Sequence, residues 1–303
     1  MSIVVNNLTK IYGQQKAVDN ISFSANEGEI LGLLGPNGAG KTTTMKMLTC
    51  FMPPSSGEAT VCGLDIYKNQ LEVRQNIGYL PEHNPLYPNM YIKEYLMFVS
   101  RIHKLSNPKN RIAEVIEEVG LEREQDKKIS QLSKGYKQRV GLAQAIIHNP
   151  KVLILDEPIS GLDPNQLLEI RNLISKLKKN KTIIFSSHIL QEVESICDRI
   201  VILNQGNLVT NDIMSSITEN TQKSQEVMVE FLNELTIEIL TNGLPTANIK
   251  NITDKIYNIS YSGDQDIREN LFDLAVKNNN KILELKSSSS SLENVFKNVT
   301  KNS

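Results

Sequence analysis

A glycine-rich stretch, GPNGAGKTTT over residues 35–44, constrains this chain more than any other feature. It matches the pattern G-x-x-x-x-G-K-[ST], whose glycines turn successive backbone N–H groups inward without Cβ clashes and so form a concavity for phosphate. The apolar run EILGLLG precedes the stretch and the helix-forming run TMKMLTC follows it. Strand, glycine loop and helix are the setting that such a loop requires, so the sequence predicts a nucleotide site.

Each part of this loop has an expected role. Lys41 can reach the β- and γ-phosphates, the Thr42 hydroxyl can ligate magnesium, and the helix that begins near Lys41 adds its positive N-terminal end. ATP and Mg²⁺ are therefore the expected ligands. The residues expected to bind the nucleotide here are Gly35, Pro36, Asn37, Gly38, Ala39, Gly40, Lys41, Thr42 and Thr43.

Two further apolar runs end in polar side chains. KVLILDEP (151–158) ends in Asp156 and Glu157, and TIIFSSH (182–188) ends in His188. Ligands of parallel α/β folds lie at the carboxyl ends of strands. We expect Asp156 to hold magnesium, directly or through water, and Glu157 to orient and deprotonate the attacking water. For His188 the pattern favours a functional role and a structural role about equally.

Three weaker candidates come from local patterns. Ser133 is a plausible N-cap for the helix in QLSKGYKQRVGLAQAIIHNP, and Gly135 near that helix start can expose N–H groups to an anion. Tyr12 lies between two short predicted strands, 3–8 and 21–24. From spacing alone, Tyr12 either stacks on a base or is a half-buried strand aromatic.

Composition excludes several classes of protein. The chain has 303 residues and a formal net charge of −1, which gives no reason to expect nucleic acid as a partner. No apolar run approaches the ~20 residues that a membrane helix needs, so no direct membrane insertion is expected. The start, MSIVVNNLTKIYG, does not look like a signal peptide. We expect a cytoplasmic protein whose membrane role, if any, comes through another subunit.

The character of the sequence changes near residue 215, where a polar, linker-like stretch begins. This change divides an expected domain over 1–215 from one over 216–303. The stretch 217–225 is polar and linker-like, and residues 287–291 are a serine run expected to form a loop or cap. The second domain shows no catalytic constellation and is expected to be a small α+β accessory domain. Its predicted strands are 226–231, 256–260 and 282–286, and its predicted helices are 264–278 and 291–300.

Five features of the sequence together resemble the nucleotide-binding subunit of an ABC transporter, and they occur in that family's order and approximate spacing. They are the phosphate loop, LSKGYKQR, LILDEP, SGLDP and the downstream histidine. Three segments resemble the type-two export class, closest to its gliding-motility-associated ATPases: IGYLPEHNPLY, LSKGYKQRVGLAQA and DEPISGLDPNQ. The C-terminal SLENVF is similar to the tail domain of that class. The resemblance implies an α/β fold of the ABC-type P-loop NTPases. That fold has a mixed sheet core with antiparallel β and helical subdomains, here with a small α+β C-terminal domain.

The resemblance also implies roles at matching positions. Tyr12 takes the adenine-stacking place, and His188 contacts the γ-phosphate. Ser133 and Gly135 contact the γ-phosphate bound by the opposite subunit, and Asp163 lies in the loop that links the two sites. The implied assembly is a head-to-tail dimer around two ATP molecules, either a homodimer or half of a heterodimer. It would dock on a separately encoded transmembrane permease at the cytoplasmic face of the inner (plasma) membrane.

This sequence departs from the family pattern at two places. Lys134 and Tyr136 replace a glycine and a glutamine in the LSGGQ signature. Glu82 stands where most relatives have a glutamine that touches magnesium or the attacking water. A carboxylate keeps an oxygen ligand for the metal but adds a third negative charge near Asp156 and Glu157. We therefore predict a stronger dependence on magnesium than a Glu82→Gln variant would show.

Two other functions are compatible with parts of the pattern. A soluble ABC-type switch acting on ribosomes or DNA is disfavoured, because such relatives usually carry two of these domains or a long coiled-coil insertion, and neither occurs here. A purely structural binding module conflicts with the intact Lys41, Asp156 and Glu157.

Overall fold

The computed structural model describes residues 1–213, 225–245, 247–261 and 267–289, and the chain divides into two compact units, Met1–Ile213 and Met214–Ser303. Each unit is treated by itself. Along the first unit the strands are β1 (Ile3–Tyr12), β2 (Gln15–Ala25), β3 (Ile30–Leu34), β4 (Ser56–Val61), β5 (Leu64–Asp65), β6 (Ile77–Leu80), β7 (Val152–Leu155), β8 (Thr182–Ser187), β9 (Arg199–Asn204) and β10 (Asn207–Ile213). Its helices are α1 (Lys41–Leu48), α2 (Gln70–Asn76), α3 (Ile92–Ile102), α4 (Pro108–Glu118), α5 (Lys134–Ile146), α6 (Pro164–Leu177) and α7 (Leu190–Glu194).

The central sheet of the first unit has six strands in the order β10-β9-β3-β8-β7-β6. β9, β3, β8, β7 and β6 run parallel, and only β10 is antiparallel to its neighbour β9. Every residue of β3, β7 and β8 is buried, as continuous apolar runs in a doubly covered sheet should be. Because these three strands are neighbours, the segments that follow them meet at one edge of the sheet.

A second, antiparallel sheet has the order β2-β1-β4-β5. β1 and β2 are longer than the predicted strands 3–8 and 21–24, because they continue to a tight turn at Gly13, whose φ is +58°. Only glycine adopts such a φ at little cost, and the turn places Tyr12 at the tip of the hairpin. The long hairpin therefore carries a candidate base-stacking residue out from the core.

Within its described residues, the second unit has the order strand, helix, strand, strand, helix, strand, with an antiparallel sheet of order β12-β13-β11-β14. This is the βαββαβ arrangement, and its core lies between the sheet and the two helices. Its elements are β11 (Gln225–Phe231), β12 (Ala247–Thr253), β13 (Ile256–Tyr261), β14 (Ile282–Ser289) and the helices Ile237–Gly243 and Ile267–Lys277.

The sequence prediction missed parts of this second unit. It did not anticipate the helix Ile237–Gly243 or strand β12. It also expected a loop from residue 287, whereas β14 continues through Ser289 because its backbone pairs with that of β11. The helix predicted over 291–300 lies outside the described residues.

Two imidazole rings stack where helices α3 and α5 end. The ring centroids of His103 and His148 lie 3.9 Å apart with an interplanar angle of 4°. His148 Nε2 lies 3.0 Å from the carbonyl oxygen of Ile77, so Nε2 carries the proton. Its buried Nδ1 has no hydrogen-bond partner among the described residues. Burial, with the nearby His103 second, lowers the pKa of His148 to about 4.

Because of the low pKa of His148 in this stacked pair, we expect the free energy of unfolding to fall in mild acid. Because the unfolded chain binds a proton at His148 near pH 6.5 and the folded chain only near pH 4, stability falls as the pH drops through that window. The loss is about 1–3 kcal/mol when allowance is made for partial solvent exposure. Thermal unfolding at pH 7.0, 6.0 and 5.0 measures it. His148→Gln keeps a donor for the Ile77 carbonyl and does not titrate, so its melting temperature should fall less. Parallel losses in both proteins would contradict the assignment.

Candidate functional site

A cavity of about 710 Å³ opens at the edge of the sheet where β3, β7 and β8 end. It brings together most of the side chains expected from the sequence, and it also includes Gln15, Ala17 and Ser160, which the sequence did not single out. The expected residues that line it are Tyr12, Asn37, Gly38, Ala39, Gly40, Lys41, Thr42, Thr43, Glu82, Glu157 and His188.

The phosphate loop needs its glycines for two different reasons. Gly40 has φ +104°, and a Cβ there would lie 2.6 Å from the carbonyl oxygen of Ala17, so a side chain is excluded by both backbone strain and space. Gly38 has φ +82°, but nothing lies within 4 Å of where its Cβ would be. Gly38 therefore leaves the backbone open towards the cavity, which is what close approach of a phosphate requires.

Lys41 is buried at the centre of this loop, with 6% of its surface exposed. Its Nζ donates hydrogen bonds to the carbonyl oxygens of Gly35 at 2.7 Å and Pro36 at 3.3 Å, and it lies 3.6 Å from Oε1 of Glu157. Gly35 and Pro36 thus contact the lysine and do not themselves line the cavity. The loop holds its cation with its own carbonyl groups, so the ammonium can exchange these partners for phosphate oxygens.

Asp156 follows β7 and is fully buried. Its Oδ1 accepts a hydrogen bond from Ser186 Oγ at 2.7 Å, but its Oδ2 has no partner among the described residues. Burying a carboxylate oxygen without a partner costs free energy unless the oxygen coordinates a cation or accepts a hydrogen bond from water. Asp156 itself is not among the residues that line the cavity, whereas Thr42 and Glu82 present oxygen atoms at its wall. This oxygen-only donor set suits Mg²⁺, which binds through few protein oxygens and keeps water or phosphate as its other ligands.

Glu157 adopts an unusual backbone conformation, with φ +49°. A non-glycine residue in this left-handed region is strained, and such strain is common at functional sites. Two contacts hold it: the Glu157 N–H donates to Ser186 Oγ at 2.9 Å, and Oε2 lies 2.8 Å from Nδ1 of His188. Lys41, Glu157 and His188 consequently form one continuous chain of polar contacts.

Two serines that were not predicted from the sequence position these groups. Ser186 contacts both Asp156 and the backbone of Glu157, and so fixes the two carboxylate residues relative to β8. Ser187 Oγ donates to Glu192 and accepts from the backbone N–H of Ile189 at 2.9 Å, which fixes the turn that carries His188. Burial raises the pKa of Glu192, against the opposing effect of its bond to Ser187. The only signal in the sequence is a pair of serines at the end of an otherwise apolar strand.

The remaining expected residues lie outside this cavity. Ser133 caps α5 by accepting from the backbone N–H of Tyr136 at 3.4 Å, and Asp163 caps α6 by accepting from the N–H of Gln166 at 2.9 Å. Gly135 is buried against the side chain of Gln166. The first turns of α5 and α6 therefore pack on one another, and the structure does not bring them to the phosphate loop of the same chain.

None of the helices in the described ranges is long and apolar enough to cross a membrane.

Comparison with known proteins identifies the family. The family model described as ABC transporter matches residues 18–160. The bacitracin transport ATP-binding protein BcrA of Bacillus licheniformis is 37% identical over 297 residues, or 97% of this chain and 95% of that protein. The Nod factor export ATP-binding protein I of Burkholderia orbicola (strain AU 1054) is 38% identical over 217 residues, or 71% of each chain.

Solved structures agree with these relatives. An ATP-binding subunit of an ABC transporter matches with a TM-score of 0.66 at 30% identity, over 73% of this chain and 93% of that one. A dimeric ATP-binding cassette in a post-hydrolysis state, bound to ADP and Pi, matches with a TM-score of 0.65 at 25% identity, over 70% of this chain and 98% of that one. The predicted ABC-type P-loop fold is confirmed. The chain belongs to the ATP-binding subunits of ABC transporters, a family of ATPases that hydrolyse ATP to power transport.

Proposed function

We propose that this protein powers an ABC exporter by hydrolysing ATP in the cavity built around Lys41, Glu157 and His188. The observation that carries the proposal is the continuous contact from the Lys41 ammonium through the Glu157 carboxylate to the His188 imidazole, at the wall of one cavity. Export is supported by the relatives, since one is named for bacitracin transport and another for Nod factor export. The bacitracin relative matches nearly the whole chain, so a peptide antibiotic of that kind is the proposed class of cargo.

In the proposed reaction, the loop N–H groups and the Lys41 ammonium bind the β- and γ-phosphates of ATP. Lys41 gives up its bonds to the loop carbonyls when it does so. Glu157 then orients a water molecule towards the γ-phosphorus and takes its proton, while His188 holds Oε2 of Glu157 and contacts the γ-phosphate. The water oxygen bonds to the γ-phosphorus as the bond from that phosphorus to the β-phosphate oxygen breaks, and ADP and phosphate leave. Tyr12 stacks on the adenine.

Thr42, Asp156 and Glu82 would hold Mg²⁺, which supplies positive charge to the phosphate oxygens when bound. The unpartnered Oδ2 of Asp156 supports this assignment. Ser186 fixes the orientation of that carboxylate by donating to its other oxygen.

We propose that the working unit is a head-to-tail dimer. Ser133 and Gly135 lie outside the cavity of their own chain, so in this assembly they would complete the γ-phosphate contacts of the partner's site, with Asp163 in the loop between the two sites. The positive end of α5 favours such a contact with an anion. A dimeric cassette among the matching structures supports the arrangement. ATP would then favour dimer closure because only the closed state offers it both sets of contacts.

The proposed membrane partner is a separately encoded permease, which places the protein at the cytoplasmic face of the inner (plasma) membrane. The relatives' names support transport, and the chain's own described helices offer no span. The link to gliding motility rests only on the resemblance of sequence segments, and neither relative described above is named for it. It stays a prediction.

The test of this function is coexpression with candidate permeases of the same genome in a bacitracin-sensitive host. The right pair is expected to bring the protein into the membrane fraction and to raise bacitracin tolerance. Lys41→Ala is the matched control, because it should still reach the membrane but should not confer tolerance. Bacitracin tolerance that the Lys41→Ala variant raises as much as the wild type does would contradict ATP-driven export.

A related prediction concerns Glu82, which is exposed at the cavity wall. Glu82→Gln replaces a charged oxygen ligand of the proposed metal site with a neutral one, so the variant should need about 2- to 5-fold more Mg²⁺ for half-maximal hydrolysis. Titration of Mg²⁺ into the nucleotide complex, followed with a fluorescent ATP analogue, gives a readout independent of turnover. Equal half-saturation for the two proteins would show that Glu82 does not contribute to the metal site.

A further inference from the structure

Tyr12 is an aromatic side chain at the tip of a hairpin, and 46% of it is exposed. A ring in such a place ordinarily samples several rotamers, because few neighbours restrict it. Here two contacts restrict it. The Tyr12 hydroxyl donates to Sδ of Met52 at 2.9 Å, and Nζ of Lys10 lies over the ring, 5.5 Å from its centroid.

The contact with Met52 belongs to a larger attachment between the end of β1 and the segment 52–55, in which Lys10 also takes part. Nζ of Lys10 also donates to the carbonyl oxygen of Pro53 at 2.7 Å. Ser55 Oγ accepts from the N–H of Ile11 at 3.0 Å, and the N–H of Ser55 donates to the carbonyl oxygen of Thr9 at 2.8 Å. The tip of the hairpin is thus tied to one short loop by four hydrogen bonds, counting the one from Tyr12.

That loop follows helix α1, which begins at Lys41 of the phosphate loop. α1 has eight residues and is therefore about 12 Å long. Partly buried Met52 packs against the core cluster that contains Met45, Met47 and Leu48 of this helix. A rigid helix therefore connects the phosphate-binding end of the cavity to the contacts that hold the Tyr12 ring.

We propose that Met52 and Lys10 are positioning residues that set the Tyr12 ring as the platform for a nucleotide base, at a fixed distance from the phosphate loop. The proposal rests on the proposed ATP site. Met52 fixes the ring through its hydroxyl, and Lys10 occupies one face of the ring and leaves the other for stacking. The ligand class is a nucleoside triphosphate whose base has a broad π-face, and these residues act on the base and not on the phosphates.

A thioether suits this role. Sulfur is a weak hydrogen-bond acceptor, and an unbranched methionine adapts to the edge of an aromatic ring at little cost. A cation over the opposite face is attracted by the ring quadrupole and so adds to the orientation of the ring. If Met52 served only as packing, its removal would lower stability without changing how the protein discriminates between ligands with and without a base.

The test compares ATP with inorganic triphosphate, which has no base. Met52→Leu keeps the volume and removes the acceptor, Tyr12→Phe removes the donor, and the double variant removes both. Each single variant should raise the KM for ATP by about 3- to 10-fold with kcat unchanged, because binding energy is lost equally in the ground and transition states. The inhibition constant of triphosphate should not move. The double variant should be no worse than the more affected single variant, since one hydrogen bond is removed in all three.

Lys10→Met keeps the aliphatic stem and removes the charge, and it should raise the KM for ATP by about 2- to 5-fold, again without effect on the inhibition constant of triphosphate.

Additive effects of Met52→Leu and Tyr12→Phe on the KM for ATP, or equal losses of affinity for ATP and triphosphate, would overturn the proposal. Unchanged melting temperatures show that the variants are folded. If the wild type does not bind ATP at all, the proposed function fails; if it binds ATP and Tyr12→Ala has no effect, only the base platform fails.

Discussion

Glu157→Gln is expected to lower the rate of ATP hydrolysis by about 10²- to 10⁴-fold while ATP binding persists. Glu157 lies in the cavity with Oε2 on His188 and Oε1 3.6 Å from the Lys41 ammonium, so it is the side chain placed to take a proton from water. The amide of glutamine keeps the size and one oxygen but cannot act as a base. Because the γ-phosphate then remains, the closed dimer should accumulate.

Two measurements on the same samples check this expectation. Phosphate release gives turnover, and size-exclusion chromatography with and without ATP gives the fraction of dimer. Glu122→Gln is a matched control, since Glu122 is exposed and does not line the cavity. It should behave as the wild type in both assays. A Glu157→Gln protein that hydrolyses ATP normally would remove Glu157 from the proposed role, and a slow variant that never dimerises would contradict the head-to-tail assembly.

The sequence predicted the centre of the cavity well for a physical reason. Three runs of strand-forming apolar residues end abruptly at Gly35, Asp156 and Ser187–His188, and such runs must be buried strands of a parallel sheet. Their carboxyl ends then have to meet at one edge. Motif and fold point to the same place, so the pattern of residues alone is enough to bring the loop, the carboxylate pair and the histidine together.

Other parts of the site depend on contacts that no pattern reports. Nothing in the sequence distinguishes Ser186, which bonds to Asp156 and to the Glu157 backbone, from a serine that merely ends a strand. The left-handed φ of Glu157 is likewise invisible, because glutamate disfavours it and only the surrounding bonds impose it. The attachment of Tyr12 to Met52 joins residues that are 40 positions apart.

In the second unit, one strand and one helix could not be predicted from the sequence for a different reason. β12 has the sequence ANIKNIT and is mostly exposed at the edge of its sheet, so it lacks the apolar alternation by which strands are recognised. The missed helix, IEILTNG, is short and contains β-branched residues that favour strands. Both elements form because tertiary pairing and packing override weak local preference.

The head-to-tail assembly predicts that two inactive variants restore one another. Lys41→Ala removes the phosphate-binding cation from a chain's own cavity, whereas Ser133→Arg places a bulky side chain at the start of α5, outside that cavity. Each variant alone should lose at least about 100-fold in turnover, because both sites of its dimer carry the same defect. In a mixed dimer, one site carries both defects and the other carries neither.

Equal mixing makes half of the dimers mixed, each with one intact site, so turnover should recover to about one quarter of the wild-type value if the sites act independently. A mixture of Lys41→Ala with Lys41→Arg is the control, because both changes fall in the same cavity and no intact site can form. Recovery in that control would expose contaminating activity. Absence of recovery with Ser133→Arg, when mixed dimers are demonstrated by pull-down of differently tagged chains, would mean that α5 does not serve the partner's ATP. The start of α5 does not line the cavity that holds Lys41 of the same chain, so in the proposed dimer the two meet one phosphate only across the interface.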